Sequence, residues 1–156
     1  MQRVYYFLCK LKGFFIVTMH NTISAIIPTC NHPQYLPEAI DSIRSQSLKP
    51  TEIIVANNGK EAIPEGSFGD DVQVLNLKPF VGVSAARNAG AKAAQGDLLA
   101  FLDDDDIWDE DFLKHLAFIM QAEQADYVVG DKYRFFEGQP AYLLFSFADS
   151  SIGTVG

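Results

Sequence analysis

Basic residues are scarce in this sequence: 12 Lys and Arg stand against 20 Asp and Glu, a net charge of −8. That balance speaks against a surface built to hold nucleic acid. A nucleotide ligand stays open, because a bound cation inverts the local sign. Cysteine is also rare. Cys9 and Cys30 show no metal-ligand spacing, so both are read as reduced thiols without assigned chemistry. Of the three histidines, His20 and His32 read as loop residues, and His115 has no metal-binding neighbour at helical spacing. A clean run of about 20 apolar residues, the length needed to span a bilayer, is missing. Arg3, Lys10 and Lys12 interrupt the apolar stretch over residues 1–17, and no small-residue cleavage site follows it, which argues against a signal peptide. Internal repeats and low-complexity tracts are absent.

What remains is 156 residues, 48% of them hydrophobic and 21% charged, the composition and length of one globular domain. Residues 1–21 are expected to be an N-terminal extension. It is either a weak membrane-surface anchor or an upstream stretch preceding a natural start at Met19, and the second reading is preferred because the first clean strand begins just after Met19. The chain is accordingly expected in the cytoplasm, soluble or peripheral at the membrane. Strands are predicted over 23–28, 52–56, 72–75 and 98–102, a long one over 126–136, and a last one over 141–147. Helices are predicted over 33–46, with Pro33 in the first turn and Leu36, Ile40 and Ile43 on one face, over the small residues after Ser84, and from Asp109 onward. Ser84 and Asp109 are read as N-caps, and Gly96 as a C-terminal glycine. Phe112, Leu116, Ile119 and Met120 are expected to face the core. Strands alternating with helices imply an α/β fold, a mostly parallel central sheet flanked by helices.

The strand over 98–102 runs directly into Asp103, Asp104, Asp105 and Asp106. In an open α/β sheet, ligands bind outside the carboxyl ends of the strands. Four adjacent carboxylates repel one another unless water or a cation relieves them. If the segment stays extended, Asp103 and Asp105 point one way and Asp104 the other, a hard oxygen site suited to Mg2+ or Mn2+. Taken alone, the run reads more readily as a solvated loop. Two further strand ends carry polar residues, Thr29 with Asn31 and Asn57 with Asn58, and in a parallel sheet all three clusters share one edge.

Four segments, Ile26-Ile27-Pro28-Thr29-Cys30-Asn31, Glu52-Ile53-Ile54-Val55-Ala56-Asn57-Asn58-Gly59, Gly82-Val83-Ser84-Ala85-Ala86-Arg87-Asn88-Ala89-Gly90 and Phe101-Leu102-Asp103-Asp104-Asp105-Asp106, resemble the leading motifs of family 2 glycosyltransferases, in the family's order and at similar intervals. The resemblance spans roughly residues 22–136. It implies the nucleotide-binding, Rossmann-like half of a GT-A fold over 22–136, followed by a C-terminal strand and tail over 137–156. It implies transfer of a sugar from a nucleotide-diphosphate-sugar donor, a UDP-sugar favoured, to a glycan or lipid-linked acceptor, with Mg2+ or Mn2+ as cofactor. By the same resemblance Pro28 and Thr29 line the base pocket, Asn58 meets the base with Asn57 nearby, and Arg87 sits near the nucleotide or supports the acidic loop. Asp103-Asp104-Asp105 is the DxD motif: Asp104 faces the ribose side, Asp105 is the main metal ligand and Asp103 supports it.

Two departures limit the resemblance. The Asn57-Asn58 pair stands where the family usually carries an aspartate, which also fits a plain Asx turn with Gly59. Nothing after Phe136 matches the acceptor-binding half that brings the catalytic base, so that residue is unassigned and the chain is expected to be a truncated enzyme, a degenerate product, or a donor-binding half that needs a partner. The alternative function is therefore a non-catalytic donor-binding fragment or pseudoenzyme. A phospho-acceptor domain would need acids after the first strand, and a sugar-phosphate nucleotidyltransferase a glycine-rich basic loop there; the residues present are Pro28-Thr29-Cys30-Asn31. Trp108 is expected to pack at a helix start or to shield the acidic loop. Phe135, Phe136 and the last strand are expected in the core or at an interface, with self-association through exposed apolar surface as one outcome.

Overall fold

A computed structural model describes residues 7–10, 22–31, 34–130, 132–134, 142–145 and 152–153. The elements in chain order are β1 (Phe7–Lys10), β2 (Ile23–Thr29), α1 (Leu36–Arg44), β3 (Glu52–Asn57), β4 (Val72–Asn76), α2 (Val83–Ala93), β5 (Leu98–Phe101), α3 (Phe112–Ala122), β6 (Tyr127–Val129), β7 (Lys132–Arg134), β8 (Tyr142–Phe145) and β9 (Ile152–Gly153).

β2 is central because every one of its seven residues is buried, the pattern of a parallel strand covered on both faces. It pairs in parallel with β3, from Ser24↔Glu52 to Thr29↔Asn57, and with β5, from Ile23↔Leu98 to Ile26↔Phe101. β3 pairs in parallel with β4. The described sheet runs β4-β3-β2-β5-β1-β6-β9, and β7 and β8 form a separate antiparallel pair. The expected α/β architecture is therefore present as a parallel four-stranded core, β4-β3-β2-β5, with helices on both faces, while β1, β6 and β9 extend the sheet antiparallel.

Period-2 alternation along β2 divides the core into two layers. Ile23, Ala25 and Ile27 join Leu36, Ala39, Ile40 and Ile43 of α1 and Leu113, Leu116 and Met120 of α3. Ile26, with Ile54 and Leu99, faces the small residues Ala91, Ala93 and Ala94 on the other side. The small-residue helix lies close to the sheet: a Cβ on Gly90 would stand 2.5 Å from Ile26 Cγ2.

Several boundaries differ from expectation. α1 starts at Leu36, with Pro37 rather than Pro33 in its first turn; Pro33 lies outside the described residues. Ser84 is inside α2, whose N-cap is Gly82 and C-cap Ala94. Gly96 is instead a close-approach residue, since a Cβ there would lie 2.6 Å from Ser24 Oγ and 2.7 Å from Ser24 N. α3 opens with Asp111 as its N-cap, while Asp109 Oδ1 accepts the Asp111 N–H at 3.1 Å in a turn just before it. Of the four residues expected to face the core from α3, Leu116 and Met120 are buried, Phe112 and Ile119 pack partly buried against them, and Leu113 joins the core. The long strand expected over 126–136 is interrupted at Gly130, giving β6 and β7. The N-terminal extension is not wholly outside the fold: β1 lies antiparallel between β5 and β6, with Leu8↔Ala100 and Leu8↔Val128 in register, and satisfies the backbone groups that β5 would otherwise leave at an edge. Ile152 and Gly153 of the expected tail pair with β6.

Gln46 joins the two helices of one layer. It is fully buried, its Nε2 donates to Asp109 O at 2.5 Å and Ser42 O at 3.2 Å, and its Oε1 accepts the Leu113 N–H at 3.0 Å. The side chain thus satisfies an otherwise orphaned N–H in the first turn of α3, the turn that follows the acidic run. Gln46→Ala is expected to lower the unfolding free energy by about 2–3 kcal/mol, because it strands buried polar groups. Urea denaturation followed by circular dichroism checks this; a loss below about 0.5 kcal/mol would show that the clamp is dispensable.

Candidate functional site

The carboxyl ends of β2, β3 and β5 come together, as parallel pairing requires. They open onto a pocket of about 310 Å³ lined by Pro28, Thr29 and Cys30 after β2, Asn58 after β3, Phe80, Gly82 and Val83 at the start of α2, and Asp103, Asp104 and Asp105 after β5. Eight residues were expected at the site; six line this pocket, and Asn57 and Arg87 stand behind it.

The chain does not stay extended beyond β5. Leu102 is still tied to the sheet through its N–H to Ile26 O at 3.0 Å, and the Asp106 N–H then turns back to Asp103 O at 3.2 Å. The expected alternation of the acids is therefore replaced by a turn that presents all three, Asp103 to Asp105, to one pocket. Their environments differ sharply. Asp104 is buried, 6% exposed, and its Oδ2 accepts the Thr29 hydroxyl at 2.5 Å. Asp103 Oδ1 receives Arg87 Nη2 at 2.6 Å. Burial pushes the Asp103 carboxyl above its ordinary range, Arg87 pulls it back by charge and hydrogen bonding, and Asp106 and Asp105 push it up again. Asp105 is exposed.

Thr29 thus holds an acid as well as lining the pocket. Asn58 is 3% exposed; its backbone N–H and its Nδ2 both donate to Thr29 O, at 2.9 and 3.2 Å. Asn57 is absent from the pocket wall. Its Oδ1 accepts the Gly59 N–H at 2.9 Å, the Asx turn, and its Nδ2 donates to Glu61 O and Asn76 Oδ1, both at 2.9 Å. Arg87 reaches the acidic loop through Asp103, and among the described residues its buried Nε has no hydrogen-bond partner. Asn31, with φ 61, accepts the Lys60 N–H at 3.1 Å and orders the β3 loop.

Trp108 packs at the helix start rather than over the acids: it is 4% exposed, stacks on Phe112 with ring centroids 5.2 Å apart, and its backbone N–H donates to Ser42 Oγ. Cys30 is a free thiol whose Sγ lies 3.9 Å from Asn58 O. His20, His32, Phe135 and Phe136 lie outside the described residues. Phe80, Gly82 and Val83 were not anticipated as pocket residues. The signal for them was the apolar Phe80-Val81 pair held between Pro79 and Gly82, where a solvated turn would carry polar residues.

α2 meets the pocket with its N-terminus. Gly82 and Val83 line the wall, no side chain caps the helix, and its first turn holds no acid. Free N–H groups and the positive end of the helix dipole favour an anion there. A mixed site results, lined by both carboxylates and the uncapped start of α2.

A parallel four-stranded core with a polar crevice at its carboxyl ends is the arrangement of open α/β sheets, whose ligands bind at those ends. Residues 24–151 match the family described as Glycosyl transferase family 2, and the chain belongs to that family. It is similar to the glycosyltransferase GlyA of Streptococcus pneumoniae serotype 4, 33% identical over 133 residues, 82% of this chain and 19% of that protein. It is similar also to the uncharacterized glycosyltransferase YwdF of Bacillus subtilis, 38% identical over 112 residues, 70% of this chain and 41% of that one. The chain therefore spans less than half the length of either relative. Among solved structures, S. aureus TarS 1–349 superposes with a TM-score of 0.57 at 24% identity, covering 67% of this chain and 34% of that chain; TarS 1–349 has also been solved with UDP and with UDP-GlcNAc. The likeness places the sheet in the GT-A fold. Among the described residues no helix is long and apolar enough to cross a membrane.

Arg87 and Asp103 should behave as one unit. Arg87→Ala is expected to destabilise the protein by about 1–3 kcal/mol, by leaving a mostly buried carboxylate unpaired. Asp103→Asn in the same chain should recover part of that loss. Chemical denaturation of the two single variants and the double variant gives the coupling directly, and strictly additive losses would contradict the pairing.

Proposed function

We propose that this chain is the donor-binding part of a glycosyltransferase that moves a sugar from a nucleoside-diphosphate sugar, a UDP-sugar by preference, to a glycan or lipid-linked acceptor. The observation that carries the reading is the convergence of the β2, β3 and β5 ends on one pocket, lined by Asn58 and by Asp103 to Asp105. Membership of the family supports it, and so does the binding of UDP and UDP-GlcNAc by TarS.

Each wall suits one part of such a donor. Pro28, Thr29 and the Asn58 amide offer a flat edge and a donor–acceptor pair for a pyrimidine base. The uncapped N-terminus of α2 suits the diphosphate. Asp104, oriented by Thr29, suits the ribose hydroxyls. The donor set also fits Mg2+ or Mn2+. All the acids are hard oxygen donors, and Asp105 faces solvent with Asp103 beside it. Among the described residues no group of three or more such ligands is gathered; a cation bound here would be held by one or two carboxylates, substrate phosphates and water rather than by a protein cage. Bound there, a divalent cation would supply Lewis-acid neutralisation of the charge that develops on the departing nucleoside diphosphate. Arg87 pairs with Asp103 and aims it, and Asp106 stands outside the pocket wall.

A second reading, donor binding without turnover, draws on the pocket itself. Its only carboxylates among the described residues are those of the Asp103–Asp105 turn, which the proposal assigns to the donor and not to taking a proton from an acceptor hydroxyl.

Titration calorimetry with Mn2+ and a panel of nucleoside diphosphates tests the donor site. Metal-dependent binding of UDP is expected, weakened at least ~10-fold in Asp105→Ala, because even outer partners of a metal typically carry that much. Binding of none of the panel would sink the proposal. Donor hydrolysis or transfer in the same samples separates the enzyme from the binding-only reading.

A further inference from the structure

We infer that Phe80 is the ring on which the nucleobase of the donor lies, at the mouth of the pocket beside Asn58. The inference rests on the proposed donor site and adds to it a residue that no sequence motif marked.

Three independent observations meet at Phe80. First, it lines the pocket yet is 64% exposed, among the most exposed large apolar side chains in the described structure. An aromatic ring left in water at the rim of a concave polar site has not been recruited to the core. Burying it against a flat ligand recovers the hydrophobic contribution that folding leaves unused. Second, its backbone has φ 58. A bulky residue in the left-handed region is an outlier, and such strain persists where the surroundings over-determine it, often at ligand clamps. Third, the strain is enforced from the base side of the pocket: the Phe80 N–H donates to Asn58 O at 2.7 Å, and the Leu77 N–H to Asn57 O at 2.8 Å. The segment is thereby tied to the β3 end that carries Asn58. Val83, 43% exposed, adds a second apolar side chain to the same pocket.

The geometry sorts the pocket into a polar inner part and an apolar lip. The diphosphate needs amides and a cation, which the α2 N-terminus and the Asp turn offer. The base needs a face and an edge. Asn58 offers the edge, and Phe80, fastened to the same residue, offers the face. Stacking tolerates any base because every base has a π-face, so Phe80 contributes affinity while Asn58 discriminates.

The strain makes the role separable from a structural one. A residue kept for stability should cost stability when lost. Glycine at position 80 accepts φ 58 freely, and little buried apolar surface disappears with the ring. Phe80→Gly should therefore have a melting temperature equal to or above that of the wild type, while binding UDP about tenfold more weakly, the scale expected for one lost stacking contact. Phe80→Tyr should bind as the wild type does. Binding of inorganic pyrophosphate with Mn2+ should be unchanged in all three proteins, because it reports only on the diphosphate part.

The experiment is calorimetry of wild type, Phe80→Gly and Phe80→Tyr with UDP, GDP and pyrophosphate, each with Mn2+, alongside thermal melts. Equal affinity of wild type and Phe80→Gly for UDP would overturn the inference and leave the donor site standing. Equal loss for UDP and pyrophosphate would also overturn it, showing that Phe80 only shapes the loop. If the wild type binds neither nucleotide, the donor-site reading itself fails and the inference falls with it.

Discussion

The buried hydrogen bond from the Thr29 hydroxyl to Asp104 holds the site together. It joins residues 75 apart in sequence at 2.5 Å and fastens the end of β2 to the turn after β5. Thr29 O also receives both the backbone N–H and the Nδ2 of Asn58, so one residue connects all three strand ends. Side chains on separate loops drift relative to one another; here they are locked to adjacent strands of one sheet. A binding constellation needs that rigidity before its chemistry matters.

The same junction answers the problem set by consecutive carboxylates. Each acid meets a different environment: Asp104 a hydroxyl in the interior, Asp103 a guanidinium at the boundary, Asp105 water. The repulsion is thus divided among a hydrogen bond, an ion pair and solvent, and the uncapped end of α2, which lines the same pocket, adds a positive field. A cation between Asp105 and a diphosphate, as proposed, would complete this arrangement and need not create it. The net charge of −8 then ceases to conflict with an anionic ligand, because the local field at the pocket is set by these few groups.

Much of this was legible before the structure. Apolar runs ending in polar residues marked β2, β3 and β5, and parallel pairing followed from the alternation of strands and helices, so the shared edge could be stated from Thr29, Asn58 and the Asp run. The details that failed are those in which tertiary contacts outvote local preference. Ser84 looks like a cap because serine often is one, but the turn at Gly82 begins the helix two residues earlier. Gly96 looks like a helix stop, yet its lack of a side chain answers to Ser24 across the sheet. Asp103 to Asp105 were expected to alternate, and a turn after Leu102 ended the strand first. Phe80 carried no motif, since its position at the pocket depends on a backbone hydrogen bond to Asn58 across 22 residues. Asn57 and Asn58, alike in sequence, were divided by the fold into a turn residue and a pocket residue.

The central claim is that one pocket, at the joined ends of three strands, receives both a divalent cation and a nucleoside diphosphate. Paramagnetic broadening by Mn2+ tests it most directly, in two-dimensional amide spectra of the isotopically labelled chain with UDP present. The account predicts that broadening centres on Asp103, Asp104 and Asp105, reaches Thr29, Gly82 and Val83, and sharpens in position when UDP is added. Broadening centred on another part of the surface, or none confined to these strand ends with UDP bound, would contradict it.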